Sequence, residues 1–164
     1  MIHLKIKDIN NFMQHLLVQD TFHHFLVYEG EICTSNLFQF DGHINKKFYN
    51  HDEPEALTED FISWETIKPI CFQMIKGEKV PTKIKLVFAF PKGSYEKLIA
   101  DCGIHISPEE IGGLYLHITY ENGLVKIITG TTLNTFTMDK TLDHYWDHLM
   151  QKFFQHYFDV EDFV

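Results

Sequence analysis

The sequence predicts an α+β fold, in which amphipathic helices cover a largely antiparallel sheet. Apolar residues alternate on both sides of Asn122-Gly123, which predicts a β-hairpin. A helical apolar stripe over residues 142–157 predicts one long helix. Other strands follow each other through short turns, whereas a parallel sheet would need regular alternation of strands and helices. The expected order of elements is β-α-β-β-α-β-α-β-β-β-α.

The hairpin is the most clearly specified element of the chain. Asn-Gly supplies the two positive-φ positions of a type I′ turn and so fixes a two-residue loop. This loop pairs Tyr120 with Val125, Ile118 with Ile127 and Leu116 with Thr129. One face of the hairpin is then nearly all apolar, and a slip by one residue would turn that face to water. The sequence therefore specifies the register of the hairpin.

The N-terminal part of the chain predicts three strands and one helix. Residues 2–6 alternate as a short strand, and Asp8 then caps a helix that presents one apolar stripe. Two further strands are expected at residues 25–33 and 37–44. The acidic stretch that follows, residues 51–60, is expected to form a solvated connection.

The middle of the chain predicts two helices with a strand between them. The first helix begins at Ser63 and ends at Lys76-Gly77, and Pro69 inside it requires either an irregular first turn or a kink. The strand covers residues 83–90 and is ended by a proline. The second helix is short and begins at Ser94.

The C-terminal part of the chain adds a short turn, a last strand and the long helix. Ser107 to Glu110 combine a capping box with proline at the first helical position, and Gly112-Gly113 limits this segment to about one turn. After the hairpin, residues 132–138 are expected to add a third strand. The apolar stripe over residues 142–157 is rich in aromatic side chains, and we expect it to pack on the sheet or on a partner.

Composition points to one cytosolic domain over residues 1–164. No apolar run approaches the ~20 residues that cross a bilayer, and the start of the chain lacks signal-peptide features. Cys33, Cys71 and Cys102 are widely spaced, which favours buried, reduced thiols over a disulfide framework. The net charge is −9 and all 14 basic residues are lysine, a composition that disfavours nucleic-acid binding.

The helical segment His144-Tyr145-Trp146-Asp147-His148 is a candidate zinc site. Two imidazoles at positions i and i+4 share one helix face, and the spacing resembles the H-x-x-E-H motif of the inverted zinc peptidases. Asp147 stands where that family has glutamate, and its shorter side chain would hold a catalytic water differently. Alternatively, His144, Asp147 and His148 form only the polar side of the amphipathic helix. The sequence identifies no third zinc ligand.

A second polar group, Asp41, His43, Tyr49 and His51, surrounds the end of a predicted strand. Loops at strand ends often carry function, so these residues are a candidate ligand-binding or proton-transfer site. The alternative is a turn with a solvated histidine. Glycine-rich phosphate loops and a G-x-S-x-G nucleophile elbow are absent from the sequence. We therefore expect no cofactor, except zinc in the alternative above.

Three segments resemble a bacterial family of unknown function. They are Asp41 to Lys46, Ile62 to Pro69 and Gly130 to Lys140, and the resemblance covers nearly the whole chain. It implies a small cytosolic bacterial protein and brings neither an activity nor a cofactor. The succession of a strand, a helix, a hairpin, a second helix and further antiparallel strands is also similar to one domain of a DNA sliding clamp.

Together these observations predict a non-enzymatic binding or protein-interaction module. We expect a protein partner or a second copy of the chain, bound through the sheet face or the aromatic helix. One alternative is a zinc-dependent hydrolase that uses His144, Asp147 and His148. Another is a clamp-like or other nucleic-acid-associated protein, which the acidic, arginine-free composition disfavours.

Overall fold

The computed structural model describes residues 1–49 and 58–163. Its strands are β1 (His3–Ile6), β2 (Leu26–Cys33), β3 (Leu37–Asp41), β4 (Ile62–Ser63), β5 (Lys83–Ala89), β6 (Ile111–Glu121), β7 (Leu124–Leu133) and β8 (Val160–Asp162). Its helices are α1 (Ile9–Leu17), α2 (Trp64–Ile75), α3 (Tyr95–Cys102) and α4 (Thr141–Tyr157). None of these helices combines the length and the apolar composition that crossing a membrane requires.

The strands of the described residues form one eight-stranded sheet. Its order is β3-β2-β5-β6-β7-β1-β8, and β4 pairs with β2 beside this path. Every pairing is antiparallel. The prediction of an α+β fold with a largely antiparallel sheet is therefore confirmed, and the main elements follow each other in the expected order.

The C-terminal hairpin has the predicted register. β6 and β7 pair Tyr120 with Val125, Ile118 with Ile127 and Leu116 with Thr129. Asn122 and Gly123 both have positive φ angles, 54° and 73°. Asparagine and glycine adopt this backbone conformation at low cost, so the turn fixes the pairing of both strands.

The chain after the hairpin differs from the expected third strand at residues 132–138. β7 itself continues to Leu133. Asn134 then turns the chain away from the sheet, because its backbone N donates to the Glu110 carbonyl and its side chain to the Glu109 carbonyl, both at 2.8 Å. The final strand of the sheet is instead β8, which follows α4 and pairs with β1.

The predicted helix boundaries agree closely with the structure. Asp8 caps α1 and Ser63 caps α2, each through its side-chain oxygen. Pro69 lies inside α2, and the helix continues through it to Ile75. The capping box at Ser107 also forms, in a single turn of 3₁₀ helix. These caps satisfy backbone N–H groups that have no partner within the helix.

The apolar core lies between the described helices and one face of the sheet, which we name the inner face. On β6 this face carries Leu114, Leu116 and Ile118, each at most 1% exposed. The apolar stripe of α4 is buried in the same core through Leu142, Trp146, Met150 and Phe154. The aromatic helix therefore packs on the sheet of its own chain.

Phe22, in the connection between α1 and β2, joins the helices to the sheet. Its side chain is fully buried. Its ring centroid lies within 6.2 Å of six other aromatic rings: Phe12, Phe25, Phe88, Phe153, Phe154 and Phe158. Because these rings come from α1, β5, α4 and the adjoining segments, one side chain connects most layers of the core.

Thr129 is a polar residue buried on the inner face. Its hydroxyl donates to Asp147 Oδ1 at 2.5 Å and accepts from the Ile2 backbone N at 2.9 Å. Both partners are held in place by this one side chain, which has no exposed surface. The hydrogen bonds offset the cost of burying the hydroxyl and fix α4 against β7.

We predict that Thr129→Val lowers the free energy of unfolding by about 1–3 kcal/mol, because the Asp147 carboxylate and the Ile2 N–H lose a buried partner while the shape is kept. Chemical denaturation followed by tryptophan fluorescence measures the change. Thr132→Val, at an exposed position of the same strand, is the matched control and should be near neutral. Equal stability of both variants would contradict the role of Thr129.

Candidate functional site

The opposite face of the sheet, the outer face, brings polar and aromatic side chains together. On β6 it carries Tyr115, His117 and Thr119, which alternate with the buried inner-face residues and are partly exposed. His117 is half-buried, and its burial lowers the pKa of its imidazole, with a further contribution from Lys85. The lowered pKa favours the neutral form of the ring.

Four aromatic side chains meet on the outer face, and we name them the tyrosine cluster: Tyr28, His43, Phe61 and Tyr115. The Tyr28 ring centroid lies 5.4 Å from His43, 5.2 Å from Phe61 and 5.3 Å from Tyr115. His43 and Phe61 are 4.7 Å apart. All four contacts are edge-to-face, the geometry that aromatic quadrupoles favour. Each side chain also keeps part of its surface exposed.

Local backbone features make this cluster. The pairing of β2 with β5 shifts register between Val27 and Glu29, and this bulge re-aims the side chain of Tyr28. Gly113 lies under the Tyr115 ring, where a Cβ would come within 2.3 Å of the ring and its hydroxyl. Only glycine leaves room for this close approach.

Asp41 positions His43 within the cluster. Its Oδ1 accepts a hydrogen bond from the His43 backbone N at 2.8 Å and also contacts His43 Nδ1. The backbone N–H first, and the imidazole second, lower the pKa of the Asp41 carboxyl. The carboxylate thereby holds the edge of the imidazole against Tyr28 and Phe61.

Three carboxylates beside the cluster form what we name the acidic strip: Glu29, Glu31 and Asp41. Glu29 lies directly opposite Asp41 across the β2–β3 pair, an arrangement of like charges that destabilises a sheet. Glu31 accepts from Gln39 Nε2 at 2.7 Å and pairs with Lys83 at 3.2 Å; these contacts lower its pKa. The strip lines an open depression of about 460 Å³, together with Lys85.

A second depression, of about 600 Å³, lies near the start of β6. Asp60 and Lys92 form an ion pair at its wall, and Lys92 is the main cause of the lowered pKa of Asp60. Burial raises the pKa of Tyr95, another lining residue, to about 12. The Ile44 backbone N donates to the Asp60 carbonyl at 2.8 Å, which connects this depression to the segment after β3 that carries His43.

The structure brings together only part of the polar group predicted from the sequence. Asp41 and His43 are in direct contact. Tyr49 instead packs its ring against Phe48, with centroids 5.5 Å apart, and His51 lies outside the described residues. Sequence reasoning missed Tyr28 and Phe61, which join His43 only through the folding of β2 and β4. One indication of this cluster was present in the sequence, namely that Tyr115 lies on the polar side of the predicted hairpin.

The zinc-site candidates do not converge in space. Both carboxylate oxygens of Asp147 are engaged, one by Thr129 and the other by the amino group of Met1 at 2.6 Å. His144 and His148 are exposed on α4. Within residues 1–49 and 58–163, no group of three His, Cys, Asp or Glu side chains is arranged to hold a metal ion. His144 and His148 thus lie on the polar side of α4, whereas Asp147 is largely covered and bonded to the buried Thr129.

Two of the three cysteines are held as protonated thiols. All three cysteines are free thiols. Burial raises the pKa of Cys71 to about 12 and also raises that of Cys102, so both thiols stay protonated. His24 Nε2 lies 3.4 Å from Ser94 Oγ, a long contact between a histidine and a partly exposed serine.

We predict that His43→Ala raises the pKa of Asp41 only part of the way toward its ordinary value of 3.8, because the backbone N–H at position 43 remains. A carboxyl-carbon NMR titration measures this. Since the folded-state pKa is depressed, the stabilisation is present above the ordinary pKa and is lost as the pH falls through the folded-state value. Asp139, whose pKa is lowered by Thr141, is the control and should not change. An unchanged Asp41 would rule out the imidazole contact.

Comparison with known proteins places the chain in a family. A model of that family, described as a family of unknown function (DUF5721), matches residues 15–160, a range that contains the tyrosine cluster and the acidic strip. No curated protein and no solved structure matches the chain. The predicted resemblance to an uncharacterised family over nearly the whole length is thereby confirmed. The chain belongs to the family of unknown function DUF5721.

Proposed function

We propose that this protein is a non-enzymatic protein-interaction module of the bacterial cytosol, and that the tyrosine cluster is its contact surface. The observation that carries this function is the gathering of four partly exposed aromatic side chains on the outer face. Tyrosine and other aromatic residues are enriched at the centres of protein interfaces. The free thiols support a reducing compartment.

The organisation of the cluster also suits recognition. Asp41 and Gly113 hold His43 and Tyr115 in defined positions before a partner arrives. A preorganised surface loses little side-chain entropy on binding, which increases affinity. The polar rim supplied by the acidic strip adds specificity, because a partner must present complementary charges.

The other expected functions have less support. The aromatic residues of α4 are largely committed to the core, so this helix offers little contact surface. A hydrolase built on His144, Asp147 and His148 lacks convergent ligands in the described chain. Nucleic acid would place phosphates near Glu29 and Asp41, where like charges repel.

Selection from a library of random peptides displayed on phage tests the proposed function. We predict that the protein enriches specific peptides and that Tyr28→Ala combined with His43→Ala weakens their binding at least about tenfold, because the exposed rings are lost. Phe136→Ala is the matched control, since Phe136 is an aromatic residue with 93% exposure outside the cluster. Circular dichroism confirms that each variant is folded.

Two results would contradict the proposed function. One is the absence of any enriched peptide under conditions in which the protein is folded. The other is enrichment of peptides that bind the double variant as tightly as the unmodified protein, which would place the contact surface elsewhere.

A further inference from the structure

Among the described strands, β3 forms one edge of the sheet, and its outward backbone groups pair with none of them. In the described part of the chain no strand pairs with the far side of β3. The Gly42 N donates to the Tyr28 carbonyl, and the Asn36 carbonyl accepts from Thr34 N. Because inward and outward groups alternate along a strand, Leu37, Gln39 and Asp41 direct their N–H and C=O groups away from β2.

This edge carries few of the features that usually prevent strand addition. Protected edges are short, or carry lysine, proline or a bulge. β3 is five residues long and has neither lysine nor proline, and the bulge of this region lies in β2. The opposite edge, β8, is only three residues long and carries Glu161 and Asp162. The two edges of the sheet therefore differ in their ability to accept a strand.

The side chains of β3 define what an added strand would meet on each face. Phe38 and Phe40 lie on the inner side, partly buried and packed against the core. The Phe40 ring covers Gly30, where a Cβ would lie 2.1 Å from the ring. Apolar side chains of an added strand would extend this layer, because cross-strand neighbours on one face stabilise a sheet.

On the outer side the same strand would meet the acidic strip. Glu29, Glu31 and Asp41 line the depression of about 460 Å³ next to β3, together with Lys85, and Lys83 pairs with Glu31. Glu29 and Asp41 lie opposite each other, so neither carboxylate has a lysine opposite it in the β2–β3 pair. A basic side chain from an added strand would relieve this repulsion.

We propose that β3 receives an extended basic segment of a partner protein, in which apolar residues alternate with lysine or arginine. This inference rests on the proposed function and identifies the partner's chemistry. Hydrogen bonds from the outward backbone groups of β3 supply affinity, and the charge alternation supplies specificity. A second copy of this chain fits less well, because each copy carries a net charge of −9 and offers no lysine on its own β3.

A short peptide of alternating lysine and valine, carrying a fluorescent label, is the probe. We predict that it binds the protein by fluorescence anisotropy and that a glutamate–valine peptide of equal length does not. Gln39→Pro should weaken binding at least about tenfold, because it removes an outward N–H. Asp162→Pro removes an outward N–H from β8, at the opposite edge of the sheet, and should bind normally. Glu29→Gln should weaken binding about threefold through the lost charge.

Amide hydrogen exchange of the unmodified protein provides a test that does not depend on the folding of any variant. The lysine–valine peptide should slow exchange at Leu37, Gln39 and Asp41, and change Phe38 and Phe40 little, because those amides already face β2. Protection at other strands, or none at β3, would overturn the inference.

Three further outcomes would overturn it: equal binding by Gln39→Pro and the unmodified protein, equal binding of both peptides, or self-association that Gln39→Pro abolishes while no peptide binds. Failure of this inference is separable from failure of the proposed function. If phage-selected peptides require Tyr28 and His43 but do not slow amide exchange at β3, the proposed function is supported. Only the inference of a basic partner strand is then rejected.

Discussion

Leu114, Leu116 and Ile118 can be buried together only if the hairpin keeps its register, because a shift by one residue would exchange them for Tyr115, His117 and Thr119. The helices have their apolar stripes against this face, and Phe22 connects their rings to those of the sheet. The turn at Asn122-Gly123 therefore determines more than a local bend. It decides which face of the sheet becomes core and which face meets solvent.

The two faces differ in chemistry as a result. On the inner face a polar group such as Thr129 is buried only with its hydrogen bonds complete. On the outer face the rings of the tyrosine cluster remain partly exposed, and the acidic strip keeps a pair of like charges side by side. Pairs of like charges that lower stability and contribute nothing to the core are typical of binding surfaces.

The features that could be predicted from the sequence are those encoded within a few neighbouring residues. Asn122-Gly123 with its alternating flanks fixed the hairpin, and Asp8 and Ser63 marked helix starts through side-chain capping. β8 could not be predicted, because its three residues are too few to show an alternation of apolar and polar side chains. The tyrosine cluster could not be predicted either. Tyr28 reaches His43 and Tyr115 through a bulge in β2 and through the pairing of distant strands, which no local pattern contains.

The position of β1 has a consequence for how the chain folds. Leu4 pairs with Ile127 on one side and with Asp162 on the other, so both neighbours of this first strand come from the far end of the chain. Because these partners lie far along the chain, β1 cannot pair with them until they have been synthesised. During synthesis β2, β3 and β5 can pair early, whereas Leu4 and Ile6 stay hydrated until β7 has left the ribosome.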